Sequence, residues 1–136
     1  MIENMLFKEY TKQEARMLNP LQLALIGDAV YEVYIRNYIF NENQGLSAHK
    51  IHTKAIKYVK AKGQSDIMQI LEPILSEDEL YIFKRGRNTK SATVPKNANV
   101  RDYRAATGME ALIGYLYLTN QQERVIELLE KAVKEY

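Results

Sequence analysis

Apolar residues recur at helical spacing through most of the chain, and the longest such run begins at Asn19. Asn19 is a good N-cap and Pro20 suits the first helical position. From Pro20 to about Phe40 the pattern is helical and strongly apolar. With Leu21 as origin and about 100° per residue, Leu25, Asp28, Glu32 and Ile35 fall near one stripe. The pattern predicts a helix that carries a carboxylate into its own buried face. An ionised Asp in that position is costly unless a hydrogen-bond network, a cation or a metal ion compensates it. Gly27 is a second oddity, because a mid-helix Gly costs about 1 kcal/mol relative to Ala. It reads as a point where something approaches the backbone closely.

The rest of the chain continues in helices. Met1 to Arg16 is a polar lead-in with one short helical piece that Leu6, Phe7 and Tyr10 can anchor. Asn41 to Gly45 reads as a loop. Ser47 caps a helix running to about Lys62, with Ala48, Ile51, Ala55, Tyr58 and Val59 on one face and lysines on the other. Gly63 reads as the residue just past that helix. Ser65 and Asp66 start the next one, with Ile67, Ile70, Leu71 and Ile74 inward and Pro73 weakening the last turn. Ser76 to Glu79 matches a capping box and opens a short helix through Leu80, Tyr81 and Phe83. Lys84 to Val100 has no periodicity and is rich in Gly, Asn, Thr, Ser and Pro, so it reads as a long exposed loop, a class that is often functional. A second buried helix spans about Val100 to Leu118. Asn120 with Glu123 makes a cap pair for a last helix with Val125, Leu128, Leu129, Ala132 and Val133 on one face. No alternating run is long enough for a strand. The expected fold is an all-α helical bundle of about six or seven helices, a single domain over residues 1–136.

Composition narrows the chemistry. The chain has no cysteine, which excludes disulfides, Cys-ligated zinc and thiol nucleophiles and fits a reducing cytoplasm. The first residues carry Glu3, Lys8 and Glu9 and lack a long apolar run, so neither a signal peptide nor a membrane anchor is expected. Net charge is only +2, yet cations cluster between Lys84 and Arg104. A local basic stretch on a near-neutral chain predicts a focused polyanion site. His49 and His52 are three residues apart but have no partner at a zinc-like spacing, so they read as surface residues.

The helix from Val100 to Leu118 repeats the anomaly of the first. Glu110 is embedded among Ala106, Thr107, Ile113 and Gly114, a small and apolar face. Two carboxylates on separate helices are what a hard divalent cation needs, and such an ion can activate water in phosphodiester hydrolysis. The alternative is structural: Asp28 and Glu110 pair with Arg36, Arg101 or Arg104, or cap a neighbouring helix. Glu32, one turn past Asp28, is a further candidate ligand, though Arg36 is placed to pair with it.

The string Leu25-Ile26-Gly27-Asp28-Ala29-Val30 resembles the signature of the ribonuclease III family. Met109 to Leu118 resembles the same family's second motif, in the same order and at a similar separation. The chain is most similar to the Mini-ribonuclease III subfamily, notably at Lys84-Arg85-Gly86-Arg87-Asn88, Lys90-Ser91 and Pro95-Lys96-Asn97. The resemblance covers nearly the whole chain.

It implies an all-helical ribonuclease III-like endonuclease domain that dimerises, binds Mg2+ and cuts double-stranded RNA in the cytoplasm, away from membranes. Asp28 and Glu110 would be the catalytic, metal-holding carboxylates, one site per protomer. No room is left after the last helix for the double-stranded-RNA-binding domain of larger relatives, as in the Mini subfamily. That subfamily trims the ends of large-subunit (23S) ribosomal RNA precursors, and a large-subunit ribosomal protein is a candidate presenter of the substrate. Ordinary members carry further acidic residues where this chain has Leu21, Ala24 and Thr107, so the rest of the ion's shell would fall to water and RNA. Lys84, Arg85, Arg87, Asn88, Lys90 and Lys96 are the expected RNA-binding residues, since A-form RNA is read through phosphates, 2′-hydroxyls and shape. The lysines from Lys50 to Lys62 are either a solvated face or an extension of that track. The ten tyrosines read as core and interface residues, and the apolar signature helix as the dimer contact. The rival reading is a non-catalytic RNA-binding or ribosome-assembly protein on the same fold.

Overall fold

Residues 3–90 and 94–136 are described by the computed structural model. The helices are α1 (Lys12–Arg16), α2 (Pro20–Glu42), α3 (Ala48–Val59), α4 (Ala61–Leu71), α5 (Glu77–Asn88), α6 (Val100–Leu118) and α7 (Gln122–Glu135), with a 3-10 turn at Glu72–Ile74. Among the described residues there is no strand beyond an isolated bridge between Glu3 and Leu6. The all-α expectation holds.

Local chemistry sets most of the helix starts. The Asn19 side chain accepts from the Leu21 N–H, and Pro20 fills the first helical position of α2. Ser47 caps α3, Asn99 caps α6, and Ser76 with Glu79 closes a full capping box on α5. Each satisfies an N–H that the helix itself leaves unpaired.

α6 is the central element, with Ala106, Gly108, Met109 and the run Ala111–Leu116 buried. α2, α4 and α5 pack around it, and α7 closes against α4 and α6. At two crossings the backbones nearly touch. A Cβ on Gly27 would overlap the Glu110 carbonyl oxygen and stand 2.7 Å from the Gly114 nitrogen, and one on Gly114 would overlap the Leu23 carbonyl. On another face of α6, a Cβ on Gly86 would lie 2.8 Å from Ala111 Cβ, and one on Gly108 would lie 2.7 Å from the Phe83 carbonyl oxygen. Arg124 locks the outside, donating to both Glu79 carboxylate oxygens at 2.8 and 2.9 Å and to the Ile74 carbonyl at 2.8 Å.

Four sequence expectations need correction. The inward face of α2 is Leu23, Ala24, Gly27, Tyr31, Ile35 and Ile39, not the stripe through Leu21 and Leu25. Leu25 is 74% exposed, Asp28 is exposed and Glu32 half-buried, so Asp28 stands at the edge of the packed face. Both sides of α2 are apolar, and the small residues Ala24 and Gly27 decide which one α6 can approach. The chain also breaks at Lys60, whose extended backbone (ψ 157°) separates α3 from α4. Gly63 is therefore inside the first turn of α4, buried where a Cβ would overlap the Lys57 carbonyl. Lys84 to Asn88 are helical, part of α5, so the irregular segment is shorter than expected. Asn120 does not cap α7. It takes a left-handed conformation (φ 58°), and Gln121 stands at the cap position, its amide donating to the Thr119 hydroxyl at 2.7 Å and not capping the helix.

The glycine crossing makes a direct prediction. Gly27→Ala forces α2 away from α6 and should destabilise the protein by about 3 kcal/mol, the upper range for overpacking. Gly45, where an added methyl would meet nothing within 4 Å, is the control. Urea unfolding midpoints of Gly27→Ala and Gly45→Ala that shift equally would refute the close-contact argument.

Candidate active site

The Gly27–Gly114 contact fixes where two acidic side chains meet. Asp28 follows Gly27 on α2, and Glu110 lies one turn before Gly114 on α6. Their carboxyl groups come within hydrogen-bonding range of each other. Burial first, then the Asp28 hydrogen bond and charge and a smaller repulsion from Glu32, together push the Glu110 carboxyl up from 4.5 to about 8, while Gln64 opposes the rise. At neutral pH, Glu110 therefore keeps a proton that hydrogen-bonds to Asp28. Among the described residues neither carboxylate is within ion-pair distance of a cation. The structural alternative, a salt bridge to Arg36, Arg101 or Arg104, is not what the fold builds. Arg36 instead reaches Glu32 at 3.4 Å.

The donor set fits a hydrated hard cation. Two carboxylates at one point, on rigid helices, match magnesium, which keeps several waters and takes one or two protein carboxylates together with substrate phosphates. No cluster of three or more His, Cys, Asp or Glu residues suited to a metal occurs among the described residues. His49 and His52 are both exposed on α3.

Gln64 is a residue that the sequence reading missed. It is 3% exposed in α4. Its Nε2 donates to the Val59 carbonyl at 2.8 Å and to Glu110 Oε2 at 3.4 Å. Only the neighbouring Gly63 hinted at tight packing there.

The basic segment divides into two kinds of residue. Lys84, Asn88, Lys90 and Lys96 are exposed, and Arg87 is half-buried beside the Phe83 ring with its Nε donating to Asn88. Arg85 points inward, where one guanidinium nitrogen donates to the carbonyls of Arg16 and Leu18. It ties the α1–α2 junction to α5, in a structural role. Ser91 lies outside the described residues. The Gly86–Ala111 contact brings the end of α5 alongside α6 at the turn that carries Glu110. A cleft of about 200 Å³ lined by Thr89, Lys90, Val94, Tyr103, Arg104 and Thr107 opens between the basic segment and α6.

The opposite face of α2 is unusually apolar for a surface. Leu25 and Val33 are 74% and 69% exposed, and Leu21, Ile26 and Phe40 are exposed beside them. The tyrosines act as expected in part: Tyr31 and Tyr115 are fully buried, with hydroxyls donating to the Tyr58 carbonyl and to Asp78. No helix among the described residues is long and apolar enough to cross a membrane.

Residues 21–121 match the Ribonuclease III domain. The chain is 50% identical over 129 residues to the Mini-ribonuclease 3 of Clostridium tetani, covering 95% of this chain and 85% of that one. It is 46% identical over 124 residues to the Mini-ribonuclease 3 of Enterococcus faecalis, covering 90% and 93%. Among solved structures, the crystal structure of a protein from Fusobacterium nucleatum superposes with a TM-score of 0.79 at 32% identity, covering 88% of this chain and 95% of that one. The chain belongs to the ribonuclease III family, on its Mini-ribonuclease 3 branch.

Proposed function

We propose that this protein is a magnesium-dependent endoribonuclease that cuts double-stranded RNA and matures the ends of the large-subunit (23S) ribosomal RNA precursor. Family membership makes it an endoribonuclease. The observation that carries the reading is the Asp28–Glu110 pair, two carboxyl groups held together with no cation in ion-pair distance among the described residues. Asp28 and Glu110 would hold magnesium, which when bound supplies a hydroxide from its own water and stabilises charge at phosphorus. Glu110 must release its proton for this, so metal binding and deprotonation are linked. Asp28, at the exposed edge of α2, is the side that RNA can reach. Lys84, Arg87, Asn88, Lys90 and Lys96 anchor the duplex by phosphate and hydroxyl contacts. Arg85 serves the fold and leaves this set.

The apolar outer face of α2 supports a homodimer, because contiguous exposed apolar surface marks an interaction site. Two copies give two sites and two cuts across a duplex. A ribosomal precursor as substrate places the enzyme in the cytoplasm, and a large-subunit ribosomal protein is a candidate presenter of that RNA.

Asp28→Asn should lower magnesium-dependent cleavage of duplex RNA by about 100-fold or more, the scale for losing a group that manages transition-state charge. Duplex binding without cleavage by both wild type and variant would favour the non-catalytic rival. Arg87→Gln and Lys84→Gln should each weaken duplex binding and reduce its salt slope by about one. Arg85→Gln should lower the melting temperature instead; an altered salt slope at unchanged melting temperature would return Arg85 to the RNA surface.

The raised Glu110 value gives a pH dependence with a definite sign. Unfolded, the group titrates near 4.5; folded and metal-free, near 8. Between these values the folded state holds the extra proton, so stability falls as pH rises. Melting temperatures in a chelator should decline across that interval for wild type and decline less for Glu110→Gln. Parallel curves would contradict the assignment.

A further inference from the structure

The Gln64 amide is oriented without ambiguity. The 2.8 Å contact to the Val59 carbonyl needs an N–H, so Nε2 faces that carbonyl and Glu110, and Oε1 faces elsewhere. Oε1 is buried and has no hydrogen-bond partner among the described residues. An unpaired buried acceptor costs about 1–3 kcal/mol. A methionine would fill the same length without that cost. The amide is also rigidly held, because Gly63 next to it packs onto the Lys57 and Tyr58 carbonyls at the α3–α4 corner. Glu110 gains little restraint from its own helix. Its neighbours there are small, and the Thr107 hydroxyl is committed to the Tyr103 carbonyl.

We propose that Gln64 is a positioning residue of the carboxylate pair: its N–H, the group for which the buried amide is kept, fixes the Glu110 carboxylate where a divalent cation would be held. The inference rests on reading Asp28 and Glu110 as the metal pair. The fold then delivers a third helix, α4, to the site. α2 and α6 each supply a carboxylate, and α4 supplies a neutral amide that donates to Glu110. A neutral group suits the place, since a third carboxylate would raise the repulsion already present between the other two.

The test is manganese(II) binding to the chelator-stripped full-length protein without RNA, followed by the electron paramagnetic resonance signal of the free ion. Gln64→Met, of equal length and without hydrogen bonds, should weaken binding about 10-fold, the usual scale for losing a group that supports a metal ligand. On duplex RNA it should lower kcat and leave KM unchanged. Gln64→Glu should weaken manganese binding as well, because its carboxylate cannot donate to Glu110 and sets a like charge against it. If Gln64→Met melts at lower temperature but binds manganese as wild type does, Gln64 only braces Val59 and the proposal fails. Asp28→Asn separates the two levels: unchanged binding in that variant overturns the metal pair and this inference together, whereas binding lost there and kept in Gln64→Met overturns this inference alone. Should Gln64→Met not fold, Gln64→Glu decides, and equal or tighter binding by it counts against the proposal.

Discussion

The backbone contact between α2 and α6 at Gly27 and Gly114 is the constraint on which the rest depends. Two helices carrying side chains at their crossing stand farther apart than this. Removing both side chains lets the Glu110 carbonyl sit where a Cβ of residue 27 would be. Asp28 and Glu110 are thereby held together, and the buried Glu110 answers by keeping a proton that it shares with Asp28. Packing of main chain on main chain sets the electrostatics. The same device on another face of α6, at Gly86 and Gly108, brings the basic end of α5 alongside. One central helix thus carries the acidic pair on one side and abuts the cationic segment on the other.

What the sequence revealed was local. The Asn19–Pro20 start and the Ser76–Glu79 box are set by residues within one turn, and both are found as read. The inward face of α2 was not legible, because Leu21, Leu25 and Val33 are as apolar as Leu23, Tyr31 and Ile35. Period alone cannot rank two apolar faces; the helix that packs on one of them does. Gly63 failed for a related reason. Glycine after a helix end and glycine inside a tight corner look alike in a sequence, and only the Lys60 backbone distinguishes them. Gly86 and Asn88 make Lys84 to Asn88 look like loop, but Lys84, Arg85 and Arg87 are good helix formers, two of them in the last turn, and Gly86 lies against α6.

The site shows the same division. Asp28 and Glu110 stood out as charges in apolar helices, and the motif resemblance joined them. Their closeness, and the proton it leaves on Glu110, belong to the crossing and have no sequence signature. Arg85 is the counterexample in the basic segment. It has the same charge and nearly the same neighbours as Arg87, yet it faces the Arg16 and Leu18 carbonyls while Arg87 lies across Phe83. Two residues of offset on a helix, about 200°, separate an arginine that ties α1 and α2 to α5 from one that stays on α5 beside Phe83 and Asn88.

A pair that holds a proton is only partly prepared for a cation. In the proposed reading, a metal ion arriving alone must displace that proton and finds only two protein carboxylates, so most of its shell is water. A duplex arriving alone brings phosphate charge toward an acidic pair. Together the two would relieve each other: Asp28 and Glu110 would hold the ion, and its charge would offset both the carboxylates and the phosphate. Binding of metal and RNA is then mutually reinforcing, and by linkage each must raise the other's affinity by the same factor. The crossing at Gly27 and Gly114 is what keeps the pair close enough for that coupling, since carboxylates free to separate would each find water and lose it.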